Sequence, residues 1–264
     1  MTLSNKKLIL LGTGIKTISH LTSEAQSAIK QADVVLYLVN EPMACEWIIK
    51  HSRYAISLED TYFSQIKRKD SYTRIYEKVI EVLKIHNHVV LALYGHPTIY
   101  ATSGLMAIKS AEDSGIETSV YPGISAEDCL FADLRIDPSN GGCYSIEATD
   151  FILLNKIIDV SNHLIIWQLN MIGSSNLSNT QINQNAIKIL LNKLLKLYPQ
   201  QHQIYLYEAA LYPGLKPTII KFSLHDLIFQ QISSISMLYL PPLRKASTDN
   251  EVLDQLGIQL EDLS

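Results

Sequence analysis

"KLILLGTGIKTISHLTSEAQSAIKQADVVLYLV", residues 7–39, sets two apolar runs on either side of a longer, more polar segment. It opens on an apolar run that stops at Gly12-Thr13-Gly14. A short apolar run closed by glycines predicts a strand buried on both faces. SHLTSEAQSAIKQA then reads as a helix and DVVLYLV (33–39) as a second strand. Working outward, SYTRIYEKVIEVLKI (71–85) carries Tyr72, Tyr76, Val79, Val82 and Leu83 at the spacing of a helix packed along one face. HVVLALYG (88–95) is another apolar strand, TSGLMAIKSAEDSG a helix closed by Gly115, and ETSVYPGIS (117–125) a strand that turns. Strands alternating with helices predict an α/β half with a mostly parallel, Rossmann-like sheet.

The second half is patterned differently. NHLIIWQL (162–169) is a strand and NAIKILLNKLLKLYP (185–199) an apolar helix. QIYLYEAA (203–210), PTIIKFSL (217–224) and SISMLYLPP (234–242) are short strands rich in β-branched and aromatic residues. Few crossover helices separate them, which predicts a mixed sheet. The expected organisation is an N-terminal α/β domain over 1–123, a C-terminal mixed domain over 124–242, and a tail over 243–264 that forms a short helix.

Composition narrows the class. A chain of 264 residues, 47% apolar and 18% charged, has the core of an ordinary globular protein. A net charge of −4 gives no global pull toward nucleic acid, so any basic patch is local. Cys45, Cys129 and Cys143 are far apart and odd in number, which argues against a disulfide framework or zinc site and for a reducing cytoplasm. No stretch reads as a signal peptide or a membrane span.

Several motifs bear on function. Gly12-Thr13-Gly14 begins a dinucleotide fingerprint, but Thr17 stands where its third glycine would be and Asn40-Glu41 end the second strand, so a tight turn allowing close approach is the better reading. His86-Asn87-His88 has metal-like spacing without a third ligand nearby, and nothing marks a cysteine as a nucleophile, so no metal is expected. YGHPTIY (94–100) and PGIS (122–125) both end strands, where open α/β sheets bind ligands. Facing one crevice, they would hold a nucleoside-like ligand through backbone groups, with Tyr94 and His96 shaping it; the alternative is two ordinary strand–helix turns. TYFSQIKRKDSYTRIY (61–76) sets three tyrosines among basic side chains, either a solvated basic face or a catalytic patch.

LLGTGI, YGHP, PGISAEDCLFADL, WQL and YEAALYPGLKPTI occur in this order over roughly residues 7–242. Together they resemble the tetrapyrrole-methylase superfamily of two-domain, class III S-adenosylmethionine methyltransferases. Within it, YGHP followed by PGISAEDCLFADLRIDPSNGGC and EATDFIL is similar to the borosin peptide α-N-methyltransferases. Porphyrin-modifying members typically carry an aspartate-containing turn in place of YGHP.

This resemblance implies a two-domain homodimer that methylates backbone amides of a peptide iteratively, leaving S-adenosylhomocysteine. It places the catalytic groups on Tyr62, Arg68 and Tyr72. It places S-adenosylmethionine against Tyr94, His96, Ile99, Ser125, Gln168, Ala209, Ser236 and Met237, with no metal. Because the chain stops about twenty residues after LPPL, the expectation is a split type acting on a separate precursor, a heterotetramer with two precursors. The alternatives are a tetrapyrrole methyltransferase and an inactive peptide-binding module on the same fold. Tyr72 lies four residues after Arg68, so the two share a helix face if the helix starts early enough. Tyr76 and Trp167 are expected in the core, and Lys67, Lys69 and Arg74 in solvent.

Overall fold

A computed structural model describes residues 6–64, 67–176 and 181–259. The first half is a five-stranded sheet built from β1 (Lys7–Gly12), β2 (Val34–Leu38), β3 (Ala55–Ser57), β4 (His88–Leu93) and β5 (Glu117–Tyr121). Its order is β3-β2-β4-β1-β5 with all pairs parallel. Both faces are covered, which is why its central strands read as unbroken apolar runs.

Alternate side chains divide cleanly between the two faces. Leu8, Leu10, Leu36, Val89 and Leu91 pack with Ile75 and Val79 of α4 (Arg68–Ile85) and Ala107 and Ile108 of α5 (Thr102–Asp113). Ile9, Leu11, Val35, Val90 and Ala92 pack with Ala25 and Ile29 of α1 (Ser23–Gln31) and Ile48 of α2 (Pro42–His51). A short α3 (Glu59–Phe63) precedes α4. Strand order reverses between β1 and β4, so the crevice for a ligand opens at their C-terminal ends.

That crevice is held by glycines. Gly14 and Gly95 exchange backbone hydrogen bonds of 3.1 Å in both directions. A Cβ on Gly12 would strike the Gly95 carbonyl oxygen, and would lie 2.8 Å from Pro97 Cδ and 2.9 Å from Gly123 Cα. Three strand-end loops therefore cross with no room for a side chain between them.

The second half forms a five-stranded mixed sheet from β6 (Cys143–Glu147), β7 (His163–Trp167), β8 (Gln203–Glu208), β9 (Thr218–Ser223) and β10 (Met237–Leu240). Its order is β6-β7-β10-β8-β9, with β6 and β7 parallel and the rest antiparallel. One face carries α7 (Ala148–Leu153) and α8 (Gln184–Leu194), burying Phe151, Ile187, Leu190 and Leu194 against Leu164, Ile166 and Leu238. The other face packs Ile165, Tyr207 and Met237 against Cys129 and Leu130 of α6 (Ala126–Leu134), and Ile15 reaches it from the first sheet's glycine turn. The tail forms α9 (Asn250–Leu256).

Two expectations need correction. Tyr72 and Tyr76 do not lie in the deepest stripe of α4; Ser71, Ile75, Val79, Val82 and Leu83 do, and Tyr76 packs half-buried at that core's edge. The apolar Ile75 displaces the phenols because their hydroxyls favour a position near water. Trp167 is core only in part: half-buried, it packs against the cluster between the sheets and also lines the cleft, tilted against Tyr100 at 5.0 Å between ring centroids.

Candidate active site

One cavity of about 680 Å³ lies between the two sheets. All eleven residues singled out from the sequence line it: Tyr62, Arg68, Tyr72, Tyr94, His96, Ile99, Ser125, Gln168, Ala209, Ser236 and Met237.

The loop end is positioned by local chain geometry. Gly95 has φ +73°, a conformation that a Cβ strains, and turns the chain from β4 into the cavity wall. His96 Nδ1 lies 3.3 Å from the Thr98 backbone nitrogen and 3.2 Å from its hydroxyl, which closes the turn. Ser125 caps α6 by accepting from the Asp128 N–H at 3.1 Å, while the Asp128 carboxylate accepts from the Ser125 N–H at 2.7 Å, a capping box that pins the PGIS loop. On the second sheet, Glu208 accepts 2.6 Å hydrogen bonds from Ser233 and Ser236, fixing the loop that presents Ser236 and Met237. Burial, with the nearby Cys129 and Glu41, pushes the Tyr94 phenol up to about 12.

The other end is made of side chains. Ser71 Oγ donates to the Tyr62 carbonyl at 2.6 Å, binding α3 to α4, and the Tyr62 and Tyr72 rings stack at 6.4 Å. Burial pushes the Tyr62 phenol up to about 12; the adjacent Tyr72 adds to the shift, and Arg68 opposes it without prevailing. Tyr62 is thus a neutral phenol at pH 7. Helix α4 begins at Arg68, early enough to put Arg68 and Tyr72 one turn apart. Arg68 Nη2 donates to Gln168 Oε1 at 2.6 Å, and Nη1 lies 3.8 Å from Glu147 Oε1. Lys67, Lys69 and Arg74 are exposed, and Arg74 pairs with Glu77 at 3.3 Å.

Two contributors escaped the sequence reading, Tyr100 and Glu147. Tyr100 lines the cavity at φ +51°; with Gln168, already expected at the site and found at φ +56°, it makes two of the four non-glycine residues with positive φ among those described. Such backbone outliers gather at functional sites. Glu147 stands behind Arg68. Outside the cavity lining, the buried Glu41 ties the two halves together, accepting from Thr17 Oγ1 and, at 2.8 Å, from Tyr212 of the second half. Burial alone would raise the Glu41 carboxyl, but the hydrogen bonds from Thr17, Tyr212, Met43 and Ala44 outweigh it and hold it below its usual range. Among the described residues no cluster of three or more His, Cys, Asp or Glu could hold a metal ion.

Two sheets thus face one cleft, with glycine loops at one end and phenols around a guanidinium at the other. The chain belongs to the tetrapyrrole (corrin/porphyrin) methylase family, whose model matches residues 7–218. Among curated proteins it is 32% identical over 259 residues to the methyltransferase/ribosomally synthesized cyclic peptide gymnopeptides precursor gymMA1 of Gymnopus fusipes, covering 97% of this chain and 62% of that protein. It is 30% identical over 255 residues to the methyltransferase/omphalotin A precursor ophMA of Omphalotus olearius, covering 95% and 61%. With the type III borosin precursor aboMAa of Anomoporia bombycina it shares 34% over 256 residues, covering 96% of this chain and 30% of that one. The chain thus spans about three fifths of the first two relatives and under a third of the last. Uroporphyrin-III-C-methyltransferase from Thermus thermophilus shares the fold at TM-score 0.64 and 18% identity, covering 90% of this chain and 93% of that one. So does cobalt precorrin-4 methyltransferase CbiF, at TM-score 0.63 and 14% identity, covering 91% and 97%.

Proposed function

We propose that this chain is an S-adenosylmethionine-dependent methyltransferase that methylates backbone amide nitrogens of a separate, ribosomally made precursor peptide, one amide after another. The observation that carries the reading is the meeting of Tyr62, Arg68 and Tyr72 with the YGHP and PGIS loops in a single cavity. Similarity to proteins named as methyltransferase and cyclic-peptide precursor in one chain supports the substrate class.

The residues fit the methyl donor. A cavity of about 680 Å³ falls in the size range of small-molecule sites. Ile15, Ala209 and Met237 offer apolar surface for a flat base, and Ser125 and Ser236, whose hydroxyls are hydrogen-bonded to Asp128 and Glu208, hold the loops that would close on it. When bound, S-adenosylmethionine would supply a methyl group already made electrophilic by its sulfonium.

The chain's own residues would act on the amide. Its nitrogen is a poor nucleophile because the lone pair is delocalised into the carbonyl. Removing the N–H proton puts negative charge on the carbonyl oxygen, which Arg68, permanently cationic, is placed to stabilise. Tyr62, kept protonated, is a hydrogen-bond donor suited to the same oxygen. Tyr72, one helical turn from the guanidinium, would take that proton as a phenolate, having first given its own phenolic proton to solvent; the nitrogen then bonds the methyl as the methyl–sulfur bond breaks. Exposed Phe63 and Ile99 lie where the cavity meets solvent, giving a peptide from outside an apolar entrance.

The proposal includes a homodimer carrying two precursors, supported by exposed Leu153, Ile157 and Phe229 on the second half. Light scattering at micromolar concentration should give twice the chain mass. It also includes a cytosolic setting, which three free thiols suit. No helix among the described residues is long and apolar enough to cross a membrane.

Co-expression with a candidate precursor followed by intact-mass analysis tests the reaction. The expected result is a ladder of species spaced by one methylene, localised to backbone nitrogens by fragmentation. Methylation of a tetrapyrrole and of no peptide would replace this reading with its alternative, and donor binding without any transfer would point to an inactive module.

A further inference from the structure

Glu147 carries an inference that rests on the methyl-transfer reading and goes beyond it. The start of α4 belongs to the first sheet's lobe but is fastened by the second. Lys67 forms a β-bridge with Asn176, and the Arg68 N–H donates to the Ser175 carbonyl at 3.0 Å. Arg68 is the first helical residue of α4, where the helix end is partly positive and a guanidinium is disfavoured. Its side chain is also largely buried, 20% exposed, which raises the need for a counter-charge.

Glu147 supplies one from the end of β6. Its side chain is 10% exposed, with Oε1 3.8 Å from Arg68 Nη1. It is not free to swing. Oε2 accepts from the Thr149 and Asp150 N–H groups at 2.7 and 3.0 Å, and Oε1 from the Thr149 hydroxyl at 3.1 Å, as the N-cap of α7. Gln168 Oε1 holds the other terminal nitrogen at 2.6 Å. A fixed carboxylate oxygen and the Gln168 amide oxygen thus orient a planar fork, and its remaining donors are left for the cavity.

We propose that Glu147 is a positioning residue: its charge, anchored on the second sheet, aims the Arg68 guanidinium at the amide being methylated. Glu147→Gln keeps an oxygen for the α7 cap and removes the charge. Glu147→Asp keeps the charge and a strong cap residue but withdraws it from Arg68. Single-turnover methylation should fall about 10- to 100-fold in Glu147→Gln, the scale of a misplaced catalytic group, and by less in Glu147→Asp. S-adenosylhomocysteine affinity by calorimetry should stay within about twofold, as for an uncoupled site.

The discriminating comparison is the double variant with Arg68→Lys. If Glu147 acts through Arg68, Glu147→Gln/Arg68→Lys is no slower than Arg68→Lys alone. Reductions that multiply would assign Glu147 to the α7 cap only and overturn the proposal. NMR of the Arg68 guanidinium separates this claim from the function reading. Resolved terminal N–H signals in the wild type that average in Glu147→Gln support the positioning, even if the wild type methylates no peptide, in which case it is the methyl-transfer reading that fails. Unchanged guanidinium signals in Glu147→Gln overturn the proposal whatever the activity.

Discussion

The two ends of the cleft are built from different materials. At the loop end, Gly12, Gly95 and Gly123 let three strand-end loops cross in contact, and the wall is largely backbone. At the charged end, Tyr62, Arg68, Tyr72, Gln168 and Glu147 meet as side chains drawn from both halves of the chain. The contrast separates two kinds of failure. On the proposed reading, damage at the loop end would disturb the fold and the donor pocket together, because the loops are the ends of the core strands. Damage at the charged end would leave the strands alone and remove chemistry.

The sharpest way to break that distinction is Gly12→Ala. The added Cβ meets backbone of two other loops, which cannot yield as a flexible side chain would. Its cost should fall in the exceptional class above about 4 kcal/mol, read as insoluble protein or a large drop in melting temperature. A wild-type melt would mean the loop crossing is slack.

Helix α4 tests the contrast within one element. Ile75 is fully buried, so Ile75→Ala should cost about 3 kcal/mol through the cavity it leaves. Tyr76, one residue on and half-buried, should cost only about 1 kcal/mol as Tyr76→Ala. Paired thermal melts give the order, and the reverse order would return the phenol to the core stripe.

The smallest effect lies at the junction, on Tyr94. Its folded pKa of about 12 lies above the ordinary value of 10.0, so the stability it contributes is complete below pH 10 and is lost as pH rises through 12. Tyr94→Phe has no such proton to lose. Its stability should therefore decline less steeply than the wild type's across that window in denaturant titrations. Identical slopes would place the phenol in water.

How much of this was legible in the sequence follows from where each signal is stored. β1, β2 and β4 are buried on both faces, so their apolar runs announced them, and the glycine turns announced the crevice. Residues 61–76 showed their composition but not their geometry. Lys67 makes no side-chain cap for α4, so no capping residue marks the true start at Arg68; contacts with Ser175 and Asn176, over a hundred residues away, set it. Tyr100 and Gln168 adopt positive φ without being glycine, which leaves no compositional trace. Glu147 ends a short edge strand and has no visible partner in the sequence until β6 is paired with β7 and Arg68 is brought across. Only half of Trp167's role was legible, because an aromatic ending an apolar strand has the same pattern whether it faces a core, a cleft or, as here, both.

The measurement that tests the central claim most directly is single-turnover methylation of a precursor peptide by Tyr72→Phe, beside its thermal melt and donor affinity. Only a hydroxyl is lost, from a ring stacked on Tyr62 at the charged end of the cavity. Transfer should fall by about 10²- to 10⁴-fold, the usual contribution of a general acid–base group, while melting temperature and donor binding stay at wild-type values. Transfer at the wild-type rate would contradict the account and reduce residues 61–76 to a solvated basic face.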